Sequence, residues 1–98
     1  MAGPLYKLWQ AKWTAAWYEL SPDEQRALLT QVTQALDRVG AKSIMLCNAS
    51  WTTEQWPAFG IEEFPDLEAL QRHSAMLAEL NWARYLESTT TVGTAWEP

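Results

Sequence analysis

The run FGIEEFPDLEALQRHSAMLAELNWARY, between Phe59 and Tyr85, contains the chain's one histidine, His73. Imidazole ordinarily titrates near pH 6.5, so on a cleft-facing helix stripe it could take or donate a proton at neutral pH. That chemistry suits enolisation, aldol cyclisation or deprotonation of a phenol. A histidine at a helix edge can equally be structural, with its N–H held by a backbone carbonyl, and the residues leave both readings open. Glu62 and Glu63 are adjacent in a strand, so their side chains point to opposite faces and cannot act on one substrate atom. One of them, with Glu62 taken as the candidate, faces the pocket as a base whose pKa burial would raise; the other reading is a solvated edge residue or an ion-pair partner for Arg72 or Lys12. Tyr6, Tyr18 and Tyr85 are phenolic donors to a substrate carbonyl, and Tyr85 is taken as the catalytic candidate. Cys47 lies in an apolar run with no neighbouring base and reads as a core residue, not a nucleophile.

Seven tryptophans in 98 residues are the compositional anomaly. Each indole buries on the order of 200 Å² while its N–H still wants a partner, so such a load points to an aromatic-walled pocket or a large interface. Trp9, Trp13, Phe59 and Trp82 are the candidates for the wall, suited to a flat hydrophobic ligand. The other reading assigns most of the seven, four or five of them, to the core and a dimer interface.

Composition restricts what else the chain could do. A formal charge of -5 and seven scattered basic residues argue against nucleic acid, which needs clustered Lys and Arg. No apolar run reaches the roughly 18 residues of a membrane span, and MAGPLYKLW does not read as a secretion signal; the expected location is the cytoplasm. A lone Cys47 excludes an internal disulfide and fits a reducing compartment, and one Cys with one His falls short of the usual Cys and His ligand set of a structural zinc site, so no metal is expected. The 98 residues are the size of one domain.

The elements that must position these groups follow from pattern. Leu5 to Trp13 alternates as a strand, with Leu5, Lys7, Trp9, Ala11 and Trp13 on one face, although Leu5, Leu8, Trp9, Trp13, Ala16 and Trp17 also recur at helical spacing. WTAAWYEL is a connection with room for a helical turn. Ser21-Pro22-Asp23-Glu24 is a capping box with proline at the first helical position, so a helix starts there; its stripe is Leu28, Leu29, Val32, Ala35, Leu36 and Val39, and Gly40 stops it. Ser43 to Ala49 reads as a strand buried on both faces, and Trp56 to Phe64 as a third strand. Pro65 ends it, Asp66 caps a second helix from Leu67 to Leu80, and Asn81 to Tyr85 continues that helix or forms a short one after a bend. Ser88 to Trp96, rich in β-branched residues, is the last strand.

Strand, helix, strand, strand, helix, strand is the ferredoxin-like βαββαβ order: an α+β fold with a four-stranded antiparallel sheet and two helices on one face. The other face carries enough apolar residues that a second sheet is expected to cover it in a homodimer. With LWQAKWTAAWYELSPDEQRA and FGIEEFPDLEALQRH in view, the chain from Leu5 to Trp96 resembles the dimeric α/β-barrel superfamily. That superfamily includes polyketide cyclases, cofactor-free monooxygenases and haem-degrading monooxygenases. The resemblance implies cofactor-independent acid–base chemistry on a hydrophobic aromatic or polyketide-like molecule. In the cyclases a tyrosine and then a histidine follow an EA-I-Q-like stretch; here EALQRH puts His73 and Glu79 at those places. The cofactor-free monooxygenases hold their substrate with an asparagine and a tryptophan, which Asn48 and Trp51 could resemble, Asn48 being equally a turn residue at a strand end. A haem-degrading relative would make His73 an axial ligand, but an acidic chain with scattered arginines suits haem propionates poorly, and no cofactor is expected. The alternative from another class is a non-catalytic binding or assembly protein of the same fold.

Overall fold

In the computed structural model, which describes residues 3–97, the chain runs β1 (Leu5–Trp13), α1 (Ala15–Tyr18), α2 (Pro22–Arg38), β2 (Lys42–Asn48), β3 (Ala58–Phe64), α3 (Leu67–Glu79), a 3-10 turn (Trp82–Arg84) and β4 (Leu86–Gly93). The strands form one sheet in the order β2-β3-β1-β4, and β1 pairs antiparallel with both β3 and β4. This is the ferredoxin-like βαββαβ arrangement expected, with α1 as one additional turn of helix. The helical spacing in Leu5–Trp13 loses to the strand because β1 occupies the centre of the sheet, hydrogen-bonded along both edges.

The helix boundaries lie where the side-chain chemistry puts them. Ser21 Oγ accepts from the Glu24 N–H at 3.1 Å and Glu24 Oε1 accepts from the Ser21 N–H at 2.9 Å, closing the capping box. The Ser21 N–H, helped by the Ser21 hydroxyl, holds the Glu24 carboxyl below its usual range. Gly40, at φ +74°, takes the left-handed residue that ends α2. Asp66 Oδ1 accepts from the Ala69 N–H at 2.8 Å at the start of α3. Asn81, also left-handed at φ 55°, makes the bend between α3 and the 3-10 turn.

Register divides the sheet into two faces. Leu5 pairs with Phe64, Lys7 with Glu62, Trp9 with Gly60 and Ala11 with Ala58, and these residues face the helices. Phe64 is fully buried there and packs with Val39, Ala41 and Ala69, fringed by Leu5, Leu36, Leu70 and Met76. The opposite face carries Leu8, Phe59, Ile61, Met45 and Cys47, with Thr89 and Thr91 on β4.

Two expectations are corrected. β2, read as buried on both faces, is an edge strand: Ile44, Met45 and Leu46 are 51%, 53% and 70% exposed. A continuous apolar run reads alike whether the chain itself covers it or leaves it open. The last strand begins at Leu86 and ends at Gly93, so Trp96 lies beyond it and is 86% exposed. β3 likewise starts at Ala58, since Pro57 has no N–H for a ladder; its carbonyl accepts from the Ala49 N–H at 2.7 Å.

Candidate functional site

Three ionisable side chains meet in the layer between sheet and helices. Lys7 on β1 and Glu62 on β3 are cross-strand partners, with Nζ 3.9 Å from Oε1 and side chains only 14% and 17% exposed. His73 comes down from α3 and is 2% exposed, its ring 5.2 Å from that of Phe64, the residue two beyond Glu62 on the same face of β3. Ala69, one helical turn earlier, is buried on the same side of α3 and fixes that side toward the sheet.

The hydrogen bonding of this group is incomplete. His73 Nδ1, His73 Nε2 and Glu62 Oε1 are buried and find no hydrogen-bond partner among the described residues. Folded proteins rarely leave buried polar atoms unpaired, because each costs about 1–3 kcal/mol of desolvation. Burial, reinforced by repulsion from the Lys7 ammonium, pushes the His73 imidazole down to about 4. Burial raises the Glu62 carboxyl above its ordinary range, with Lys7 pulling the other way. At neutral pH His73 is therefore uncharged, and burial makes the Glu62 carboxylate a stronger base than an ordinary one.

Of the other candidate residues, Trp9 shares this face of the sheet and the rest lie elsewhere. Trp9 lies over Gly60, in the same helix-facing layer as Lys7. Trp13 stacks on Trp17 with ring centroids 3.8 Å apart and planes 8° from parallel, Trp82 meets both edge-on, and Tyr85 meets Trp17 edge-on. These four aromatics pack on one another at the far end of β1, and the Tyr85 carbonyl accepts from the Thr14 N–H at 3.0 Å. Asn48 Oδ1 accepts from the Ser50 N–H at 3.0 Å, the turn geometry of a strand end, and Trp51 is 82% exposed. Phe59 is on the sheet face away from the helices, paired with Gln10 and Cys47. The structure thus brings Glu62 into one layer with His73, and places Tyr85, Asn48, Trp51 and Phe59 apart from them.

Lys7 is the member of the group that was not singled out as a functional residue. Its signal was present: it is the one charged residue on the otherwise apolar alternation of Leu5, Trp9, Ala11 and Trp13. Two surface grooves flank the layer. One, of about 260 Å³, is lined by Ser74, Leu77, Ala78, Trp82, Ala83, Leu86 and Ser88, between α3 and β4. The other, of about 150 Å³, lies between α2 and α3 with Gln34, Arg38, Met76 and Glu79 among its walls. Neither is lined by His73 or Glu62. Among the described residues no three His, Cys, Asp or Glu side chains form a metal-ligand cluster, and no helix is long and apolar enough to cross a membrane.

No protein-family model matches the chain, and no curated protein matches it in sequence. Solved structures do. An arginine-to-lysine variant of chlorite dismutase from Candidatus Nitrospira defluvii superimposes with a TM-score of 0.70 at 20% identity, over 95% of this chain and 40% of that one. The chain therefore spans less than half the length of that enzyme. SnoaB, a cofactor-independent oxygenase from Streptomyces nogalater, matches with a TM-score of 0.61 at 13% identity, over 99% of this chain and 97% of that one. A dimeric ferredoxin-like protein of unknown function from Thermobifida fusca matches with a TM-score of 0.54 at 13% identity, over 97% and 93% of the two chains. At these identities the likeness is one of fold: the chain has the ferredoxin-like fold shared by these proteins.

Proposed function

We propose that this protein is a cofactor-independent acid–base catalyst acting on a small hydrophobic, aromatic or polyketide-like molecule, with Glu62 carrying the proton and His73 a neutral hydrogen-bonding partner. The observation that supports it is the enclosed group itself: a base strengthened by burial, an imidazole kept uncharged, and three buried polar atoms with no hydrogen-bond partner among the described residues. Abstraction of a proton next to a carbonyl needs a base of raised pKa and a donor to the carbonyl oxygen, and positioned groups of this kind contribute roughly 10²- to 10⁴-fold. Tyr85 is too closely built into the aromatic cluster to share that task. The test is deuterium incorporation at the activated methylene of 2-tetralone, followed by NMR in D2O. Wild type is expected to accelerate exchange, and Glu62→Gln to lose about 100-fold or more of the acceleration. Exchange by Glu62→Gln equal to wild type would sink the proposal.

A second reading, a non-catalytic small-molecule-binding protein, is favoured by the groove between α3 and β4, which has apolar walls and two serine hydroxyls but does not reach His73. Saturable binding of 2-tetralone with no exchange, abolished by Leu77→Arg in that groove and unaffected by Glu62→Gln, is its expected signature.

Both readings are proposed for a homodimer closed by the outer sheet face. Leu8 and Met45 are 41% and 53% exposed there beside Ile61 and Phe59, a continuous apolar surface that water solvates poorly. Ile61→Glu, which sets a charge in the middle of that face, is expected to shift the species seen by analytical ultracentrifugation from dimer to monomer. A wild-type monomer at all concentrations would rule the dimer out.

A further inference from the structure

The acid–base reading leaves Lys7 without a task, and an ammonium is expensive to hold in an apolar layer without one. Its surroundings define what it could do. Lys7 has Glu62 across the ladder on β3 and Val92 across the other ladder on β4, and His73 on α3 is near enough to feel its charge. Ser43, beyond Glu62 on β2, carries no charge, and the inward stripe of α2 consists of Leu28, Val32, Ala35, Leu36 and Val39. Glu62 is therefore the one carboxylate facing Lys7 in this layer among the described residues, and at 3.9 Å the two are attracted without being hydrogen-bonded.

Charge conservation then limits the chemistry. The layer holds one ammonium and one carboxylate. When a substrate O–H or activated C–H gives its proton to Glu62, the carboxylate becomes a neutral acid. The electron pair of the broken bond stays on the substrate as an oxyanion, phenolate or enolate. The negative charge has moved, not disappeared, and Lys7 is the cation left opposite it. We infer that Lys7 is the anion-stabilising residue of this site and restricts it to substrates whose deprotonated form is an oxyanion small enough to take the place of the Glu62 carboxylate beside Nζ. This deepens the acid–base reading and rests on it.

The probe is 4-nitrophenol, which ionises near neutral pH with a change of colour, compared with 4-nitroanisole, which has the same shape and no ionisable oxygen. Bound to wild-type protein, the phenol is expected to become more acidic by roughly 10- to 1,000-fold, the effect of an opposite charge within about 4–6 Å. Lys7→Met is expected to abolish that enhancement and Lys7→Arg to keep most of it. Glu62→Gln, which frees Lys7 of its carboxylate, is expected to tighten phenolate binding while it abolishes exchange on 2-tetralone. These opposite signs would not arise from a merely structural lysine. Should Lys7→Met fail to fold by circular dichroism, Glu62→Gln against wild type carries the same test. Binding of both probes with equal affinity at every pH, an enhancement that survives Lys7→Met, or phenolate binding weakened by Glu62→Gln overturns the role of Lys7 and leaves the acid–base reading standing. Binding of neither probe overturns the role of Lys7, and overturns the acid–base reading as well only where wild type also fails to accelerate exchange on 2-tetralone.

Discussion

His73→Leu is expected to raise the stability of the protein at neutral pH and to flatten the acid side of its stability curve. The ring is 2% exposed and neither nitrogen has a hydrogen-bond partner among the described residues, so the native state carries a desolvation cost that an apolar side chain would not. Relief of that cost is about 1–3 kcal/mol, reduced by whatever strain the slightly bulkier, branched side chain meets against Phe64. The pH dependence has a definite sign. The folded-state value of about 4 lies below the ordinary 6.5, so as pH falls the unfolded chain takes up this proton first. Stability is therefore intact above about pH 6.5 and is lost as pH falls from there through about 4, by at most about 3 kcal/mol. Glu62, whose carboxyl is raised, opposes this: its buried charge destabilises the fold at higher pH, and protonation relieves it as pH falls through the raised value. Wild type shows the difference of the two, and His73→Leu leaves only the Glu62 part. Urea unfolding at about pH 7.5 and about pH 4.5 would show it. A wild-type acid limb that persists unchanged in His73→Leu would mean that the imidazole titrates as an ordinary exposed one.

That prediction depends on a residue legible in the sequence by type and on a burial that was not. The pattern of EALQRHSAM leaves His73 at or beside the stripe, so stripe and edge remained open; the structure decides because Ala69 and Phe64 draw that side of α3 against the sheet. Element order, capping box and the stops at Gly40 and Pro65 were legible because each shows in the pattern of a short stretch of sequence. The exposure of β2 was not, because it depends on which strand ends at the sheet edge, a property of the whole topology. The tryptophans were misleading in the same way. Trp9 and Trp13 do share a face, yet one lies over a glycine and the other stacks on Trp17, and composition alone does not distinguish an aromatic wall from an aromatic cluster.

Lys7 and Glu62 show where chemistry can be read one level up. In sequence they are 55 positions apart, and nothing local connects them. Register connects them, because a strand starting at Leu5 against one ending at Phe64 puts Lys7 opposite Glu62. A slip of one residue would place Lys7 on the apolar outer face. What holds the register is the core end, where Leu5 meets Phe64, and the next pair along, where Trp9 needs a partner with no side chain.

That pair gives the second large effect. Gly60→Ala is expected to destabilise the protein by about 1–3 kcal/mol and to change its tryptophan emission. A Cβ at Gly60 would lie 2.6 Å from Trp9 Cζ2, 2.8 Å from Cε2 and 2.9 Å from Nε1, contacts that real Cβ atoms do not make. The obstacle is the rigid body of the indole, so it cannot yield by bending at a flexible tip. Alanine would ordinarily be the better strand residue, gaining about 0.5–1 kcal/mol over glycine, and the clash must exceed that gain for the predicted sign to hold. A double-mutant cycle separates the two. Trp9→Leu alone loses aromatic burial and is destabilising, but in the Gly60→Ala background it also removes the clash. The double variant is therefore expected to be more stable than the sum of the single effects by about 1–2 kcal/mol. Displacement of Trp9 also disturbs the layer it shares with Lys7, so Gly60→Ala should weaken 4-nitrophenolate binding, and Trp9→Leu in the same background should restore part of it. Strictly additive effects, or a Gly60→Ala protein as stable as wild type with unchanged emission, would show that the indole does not lie over Gly60 and that the register is held by the core end alone.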